Sequence, residues 1–225
     1  MKRKITVLGL VIACVIGLSG CLSTNQPVEK TNNIVQNKAD KDFFDYAFNH
    51  SKCYTEDNMK DCIKGMNEYE EYARLTAFEE GMSKQYLRNK IYRTIYSDHA
   101  CVLKNAEACY ITYFEIDQLS NDFHFSDNEI DQIMGQDADF RREIRKRSLF
   151  RACELNYAFA CETLAEFRYE YEYWRDYGRT ASGISLKSIS YITDNILHDE
   201  MIRYAKKACD LNSNSCERLH KRGIL

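Results

Sequence analysis

An all-α chain built of repeated, disulfide-stapled corners is what this sequence predicts, and three features carry that prediction. The only proline is Pro27, so beyond it nothing removes a backbone donor from a helix. Apolar residues recur three and four apart, and no alternating run of useful length suggests a strand. One pattern then returns along the chain, most fully as Ala152-Cys153-Glu154-Leu155-Asn156-Tyr157-Ala158-Phe159-Ala160-Cys161.

On one unbroken helix, cysteines eight apart would be separated by about 12 Å along the axis. A disulfide needs its Cα atoms within roughly 4.4–6.8 Å, so pairing requires a turn between them. Asn156 suits that turn, because asparagine tolerates the left-handed conformation that ends many helices. The expectation is a helix ending near Leu155, a tight turn and a second helix beginning before Cys161. Ala100-Cys101-Val102-Leu103-Lys104-Asn105-Ala106-Glu107-Ala108-Cys109 repeats the device, and Ala208-Cys209-Asp210-Leu211-Asn212-Ser213-Asn214-Ser215-Cys216 repeats it one residue shorter. Cys53 and Cys62 make a looser copy without the alanines. Four such corners constitute an internal repeat.

In chain order, residues 1–20 come first. Lys2, Arg3 and Lys4 precede an uncharged apolar run over residues 5–18, shorter than the ~20 residues of a membrane-spanning helix. This reads as a signal peptide. Its end, Leu18-Ser19-Gly20-Cys21, resembles a bacterial lipobox, which makes Cys21 the expected lipidated residue. Leu22 follows Cys21 where the usual inner-membrane retention signal has Asp, so the expected location is the cell envelope, lipid-anchored to the outer membrane and facing the periplasm. Loss of residues 1–20, which hold three basic and no acidic residues, takes the net charge from −3 to −6. An acidic mature chain argues against a nucleic-acid partner. Residues 21–40, rich in Ser, Thr, Asn, Gln and Lys, read as a lipidated flexible tether.

Residues 41–225 remain as one α-helical repeat domain. Leu87, Ile91 and Ile95 stand four apart with Tyr92 and Tyr96 beside them. Ser126-Asp127-Asn128-Glu129 is a capping box that should start a helix carrying Ile130, Ile133 and Met134. Ile189, Ile192, Ile196 and Leu197 form a stripe running towards Met201 and Tyr204. Of ten cysteines, setting aside Cys14 and Cys21 leaves eight, an even number in an exported chain. The expected bridges are the local ones, Cys53–Cys62, Cys101–Cys109, Cys153–Cys161 and Cys209–Cys216.

Tyr204-Ala205-Lys206-Lys207-Ala208-Cys209-Asp210-Leu211-Asn212, then Cys216-Glu217-Arg218-Leu219, resembles the cysteine-rich Sel-like repeats, relatives of the tetratricopeptide repeat. In that family an aromatic-rich helix ends in Ala-Cys-acid-Leu, and the next opens with the partner cysteine, Leu three positions on and then Gly. Leu164 and Leu219 match that Leu; Ala165 and His220 replace the Gly, and Gly65 and Thr112 replace the Leu in the first two corners. The segments between corners span 39, 44 and 48 residues (62 to 101, 109 to 153, 161 to 209), which predicts longer helices or an extra one in each unit. The resemblance implies a disulfide-stapled α/α repeat solenoid, a right-handed superhelix, that binds other proteins. Lipoproteins with such repeats are similar to immunity partners of secreted effectors. The alternative the resemblance offers is a cell-wall or β-lactam hydrolase.

The residues do not supply that alternative with a catalytic set. Ser126-Asp127-Asn128 matches a triplet of penicillin-recognising serine enzymes, but no serine has lysine three positions on, and Lys-Thr-Gly is absent. His50, His99, His124, His198 and His220 are dispersed, and there is no C-x-x-C pair. Asp127, Glu129 and Asp131, like Asp137 and Asp139, read as a solvated face. The expectation is therefore a non-enzyme with no cofactor and no metal. Phe167, Tyr171 and Trp174 lie on one face of a helix, and Tyr169, Tyr173 and Tyr177 on roughly the opposite one. One stripe suffices to pack the helix; the tyrosine stripe either packs a neighbouring unit or forms the surface for an unidentified protein partner. Glu170, Glu172, Arg175 and Asp176 would ring it.

Overall fold

A computed structural model describes residues 51–79, 84–121, 125–134, 137–175, 178 and 186–225, and every regular element among them is a helix. Cys21 and the expected leader and tether lie outside these residues. α1 (Lys52–Thr55) and α2 (Met59–Glu79) meet at the first corner, and α3 (Lys84–Val102) and α4 (Ala106–Asn121) at the second. α5 (Asp127–Met134) precedes α6 (Ala138–Glu154), which meets α7 (Ala158–Trp174) at the third. α8 (Leu186–Thr193) precedes α9 (His198–Leu211), which meets α10 (Ser213–Lys221) at the fourth. The first inter-corner segment thus holds two long helices, and the other two each admit a short extra one. α2 packs on α3, α3 on α4, α4 on α6 and α7 on α9, so each stapled pair lies against the next.

The bridges join Cys53 to Cys62, Cys101 to Cys109, Cys153 to Cys161 and Cys209 to Cys216, with Cα atoms 4.7, 4.5, 4.7 and 4.1 Å apart. All four corners share one register. The residue four before the second cysteine begins the new helix, and its carbonyl accepts from that cysteine's N–H: Asn58, Asn105, Tyr157 and Asn212, at 3.1, 3.1, 3.3 and 3.1 Å. The three asparagines also cap with their side chains, Asn105 Oδ1 accepting from Ala108 N at 2.8 Å. Tyr157 has no such bond and instead lays its ring 5.1 Å from Tyr110.

What varies is the step before the cap. Asn156 is left-handed at φ 70°, and Lys104 takes the same place at φ 71°. Each closes its helix with the same pair of bonds, Lys104 N to Cys101 O and Asn105 N to Ala100 O in one, Asn156 N to Cys153 O and Tyr157 N to Ala152 O in the other. Ala100 and Ala152 are fully buried there. In the fourth corner Asn212 is itself the cap, in extended conformation, and no left-handed residue intervenes. That omission accounts for its being one residue shorter.

Successive corners touch through one recurring position, two residues before each first cysteine. Arg151 donates to the Val102 carbonyl at 3.1 Å, and Lys207 to the Glu154 carbonyl at 3.4 Å. Both acceptors are the residue just after the preceding corner's first cysteine. His99 occupies the same position and meets the first corner, its Nε2 3.0 Å from Asp57 and its ring 4.6 Å from Tyr54.

Two departures from the expected leucine have local causes. A Cβ on Gly65 would sit 2.5 Å from the Tyr96 ring, so that corner fills the space from the facing helix. Thr112 Oγ1 bonds the Ala108 carbonyl and lies 2.9 Å from Ser97 Oγ, replacing an apolar pair with a buried polar one. Leu164 and Leu219, at the same place in the last two corners, are fully buried in the main core. The stripe drawn from Ile189 to Tyr204 is broken: α8 ends at Thr193 and a turn follows, with Ile196 N bonded to Thr193 O at 2.9 Å. The break buries Ile196 and turns Leu197 outward, 68 % exposed.

Several charges expected on a solvated face do structural work. Asp127 and Asp131 both pair with the buried Arg141, the former at 2.5 Å. Asp137 caps α6, accepting from Phe140 N at 2.9 Å, while Asp139 pairs with Arg142. Leaving Arg141 buried without these carboxylates would strand a charge, which is strongly unfavourable. The capping box forms as expected, with Ser126 N donating to Glu129 at 2.9 Å.

Candidate functional site

The last turns of α7 are held from three sides. On one side Phe167 packs into the main core and meets Tyr113 at 6.3 Å between ring centres; Tyr169 is half-buried against the same core. On another, Glu162, Glu166 and Glu170, each four apart, face α10. Arg218 pairs with Glu162, and Arg222 lies 3.2 Å from Glu166 and 3.5 Å from Glu170. Burial pushes the Glu166 carboxyl up to about 6 despite Arg222, because Glu162 and Glu170 oppose a further negative charge. On the third side Arg168 donates to Glu172 at 2.8 Å and to the Thr193 carbonyl at 3.2 Å, and Glu172 also meets His198 at 3.0 Å. Burial would raise the Glu172 carboxyl, but the bonds from His198 and Arg168 outweigh it and leave it below the ordinary range.

Held this way, α7 projects Tyr173, 60 % exposed. Its ring stacks on Tyr169 at 5.9 Å and meets Trp174 edge-on at 4.8 Å. The His198 contact brings the start of α9 to this turn, and with it the exposed Leu197. The tyrosine stripe therefore divides. Tyr169 belongs to the packing, Tyr173 faces solvent on top of it, and Tyr177 lies outside the described residues. Of the four residues expected to ring the patch, Glu170 and Glu172 are committed to ion pairs within the fold, Arg175 is exposed, and Asp176 is not described.

Other predicted site residues end in structural roles or fall outside the description. Cys53, Cys62, Cys101, Cys109, Cys153, Cys161, Cys209 and Cys216 are all in bridges. Cys21, His50 and His124 are not described. No helix among the described residues is long and apolar enough to cross a membrane. Sequence reasoning passed over the buried ion clusters: Glu115 with Lys90 and Arg93, and Arg145 with Asp117 between the rings of Tyr113 and Tyr191. Their signal was charge recurring on otherwise apolar faces.

No family model, no curated protein and no solved structure matches this chain. The likeness to Sel-like repeats is thus carried by the corner residues alone.

Proposed function

We propose that this protein is a lipid-anchored stack of disulfide-stapled helical repeats that binds a partner protein in the cell envelope. The repeat reading is supported by the corner-to-corner contacts, which use one register position three times and so relate each unit to the next by a similar step. The binding reading is carried by Tyr173, a large exposed aromatic stacked on a half-buried one at the end of a helix fixed on three sides. Rigid aromatic anchors of this kind dominate protein interfaces, since they bury much area and lose little freedom on binding. A toxic effector entering the periplasm is the partner class the resemblance suggests.

Tyr173→Ala tests the surface. Pull-downs from envelope fractions should recover a protein with the wild type and lose it with the variant, a weakening of about 2 kcal/mol or more. The melting temperature should barely move. Equal capture by both chains, or a large fall in melting temperature, removes Tyr173 as a partner contact. The anchor has its own test. Metabolic palmitate should label the wild type and not Cys21→Ser; a variant that still labels rules out the lipobox.

A further inference from the structure

Among the described residues, the first and last corners differ from the middle two in one respect. Each places a histidine ring nitrogen and two cysteine sulfurs within 4.8 Å of one another: Cys53, Cys62 and His99 in the first, Cys209, Cys216 and His220 in the last. The two histidines arrive by different routes. His99 comes from α3, in the position that touches the preceding corner, whereas His220 stands four residues after Cys216 on α10 and so on the same face. At the first position the later units carry Arg151 and Lys207, and at the second Tyr113 and Ala165, none of which has an imidazole.

Both rings are also oriented. Nε2 of His99 lies 3.0 Å from the Asp57 carboxylate, and Nδ1 of His220 lies 3.1 Å from the Leu225 carbonyl. Those oxygens only accept, so in each contact the ring nitrogen is the donor. Where the other nitrogen is the ligand, an imidazole held this way has the arrangement found around protein-bound zinc.

We propose that these two corners are latent Cys2His sites that take a divalent zinc-class ion when their bridges are reduced. The step balances with a dithiol reductant. Its two thiols reduce the S–S bond to two protein thiols and become a disulfide themselves. The ion then displaces two protons and binds two thiolates and one imidazole, leaving water in the fourth tetrahedral position. Zinc–sulfur bonds of about 2.3 Å need the sulfurs to part to about 3.8 Å, a small movement for side chains already on adjoining turns. Two thiolates neutralise the ion's charge, which suits the first corner, where Cys53 and Cys62 are fully buried. The ion would keep the corner closed after its covalent staple opens, and in the first corner it would also tie α3 to the preceding unit.

Cobalt(II) added anaerobically to the full chain, reduced with a phosphine, tests this. Two ions per chain should bind with thiolate-to-cobalt charge transfer and tetrahedral visible bands, and zinc should displace both. His99→Ala or His220→Ala should each lower uptake from two ions to one, and the double variant to none. Cys101→Ser with Cys109→Ser should leave two. Far-UV circular dichroism should show the helices retained or restored by the metal. The proposal is overturned if the reduced chain binds no cobalt in thiolate form, if the double histidine variant still binds two ions, if the oxidised chain binds as well, or if the reduced chain loses its helices and metal does not restore them.

Discussion

Glu166 shows how a single side chain can report on the seam between α7 and α10. Its carboxyl titrates at about 6 in the fold against 4.5 for the free group, because burial and the flanking Glu162 and Glu170 outweigh Arg222 and Arg218. The folded state therefore holds a proton that the unfolded chain has already lost between those values. The stability this supplies is complete below pH 4.5 and lost as the pH rises through about 6. A shift of this size corresponds to about 2 kcal/mol. Glu166→Gln keeps the shape and removes the titration. Urea denaturation at intervals from pH 4 to 7 should show the variant gaining on the wild type as pH rises. Parallel curves for the two proteins would mean that Glu166 titrates normally.

At the scale of the element, the corner is the unit that organises the chain, and it was unevenly legible. Asn156 could be read as left-handed because its side chain is one of the few that tolerate that backbone. Lys104 could not, since lysine has no such preference and takes φ 71° only because the corner's register demands it. The asparagines at 58, 105 and 212 were visible in the sequence, but their shared distance of four residues from the second cysteine emerges only when Tyr157 is seen to hold the same place without a capping side chain. The broken stripe at Thr193 shows the opposite failure: apolar spacing continued across a turn that spacing alone does not mark. The strain at Lys104 is testable. A left-handed non-glycine residue costs roughly 1–2 kcal/mol. Lys104→Gly relieves most of it, less the extra freedom glycine gains when unfolded. The net gain should be about 1 kcal/mol, read as a higher urea midpoint at unchanged slope. Asn156→Gly should gain less. Equal gains, or a loss at Lys104, would mean that the corner rather than the residue sets the cost.

For the whole molecule, the question is how far one unit depends on the rest. The apolar clusters are separate in part: Cys53, Cys62, Met66 and Tyr96 pack around the first corner, while the main core runs from Cys101 and Cys109 through the third and fourth corners to Ile224. The basic residue before each corner was present in the sequence as His99, Arg151 and Lys207, yet nothing local reveals that its partner lies one unit back, 49 or 53 residues away in two cases. If the corners form the proposed stack, in which units touch mainly their neighbours, opening one end should spread inward and fade. Removing the last staple with Cys209→Ser and Cys216→Ser returns loop-closure entropy to the unfolded chain and so costs that corner about 2.5 kcal/mol. Native-state hydrogen exchange should then speed up in α9 and α10, less in α7, and stay at wild-type rates in α2 and α3. The converse pair, Cys53→Ser with Cys62→Ser, should loosen α2 and α3 and spare α9. If either pair accelerates exchange evenly through all the helices, the chain unfolds as one cooperative body, and the stack of semi-independent units must be given up.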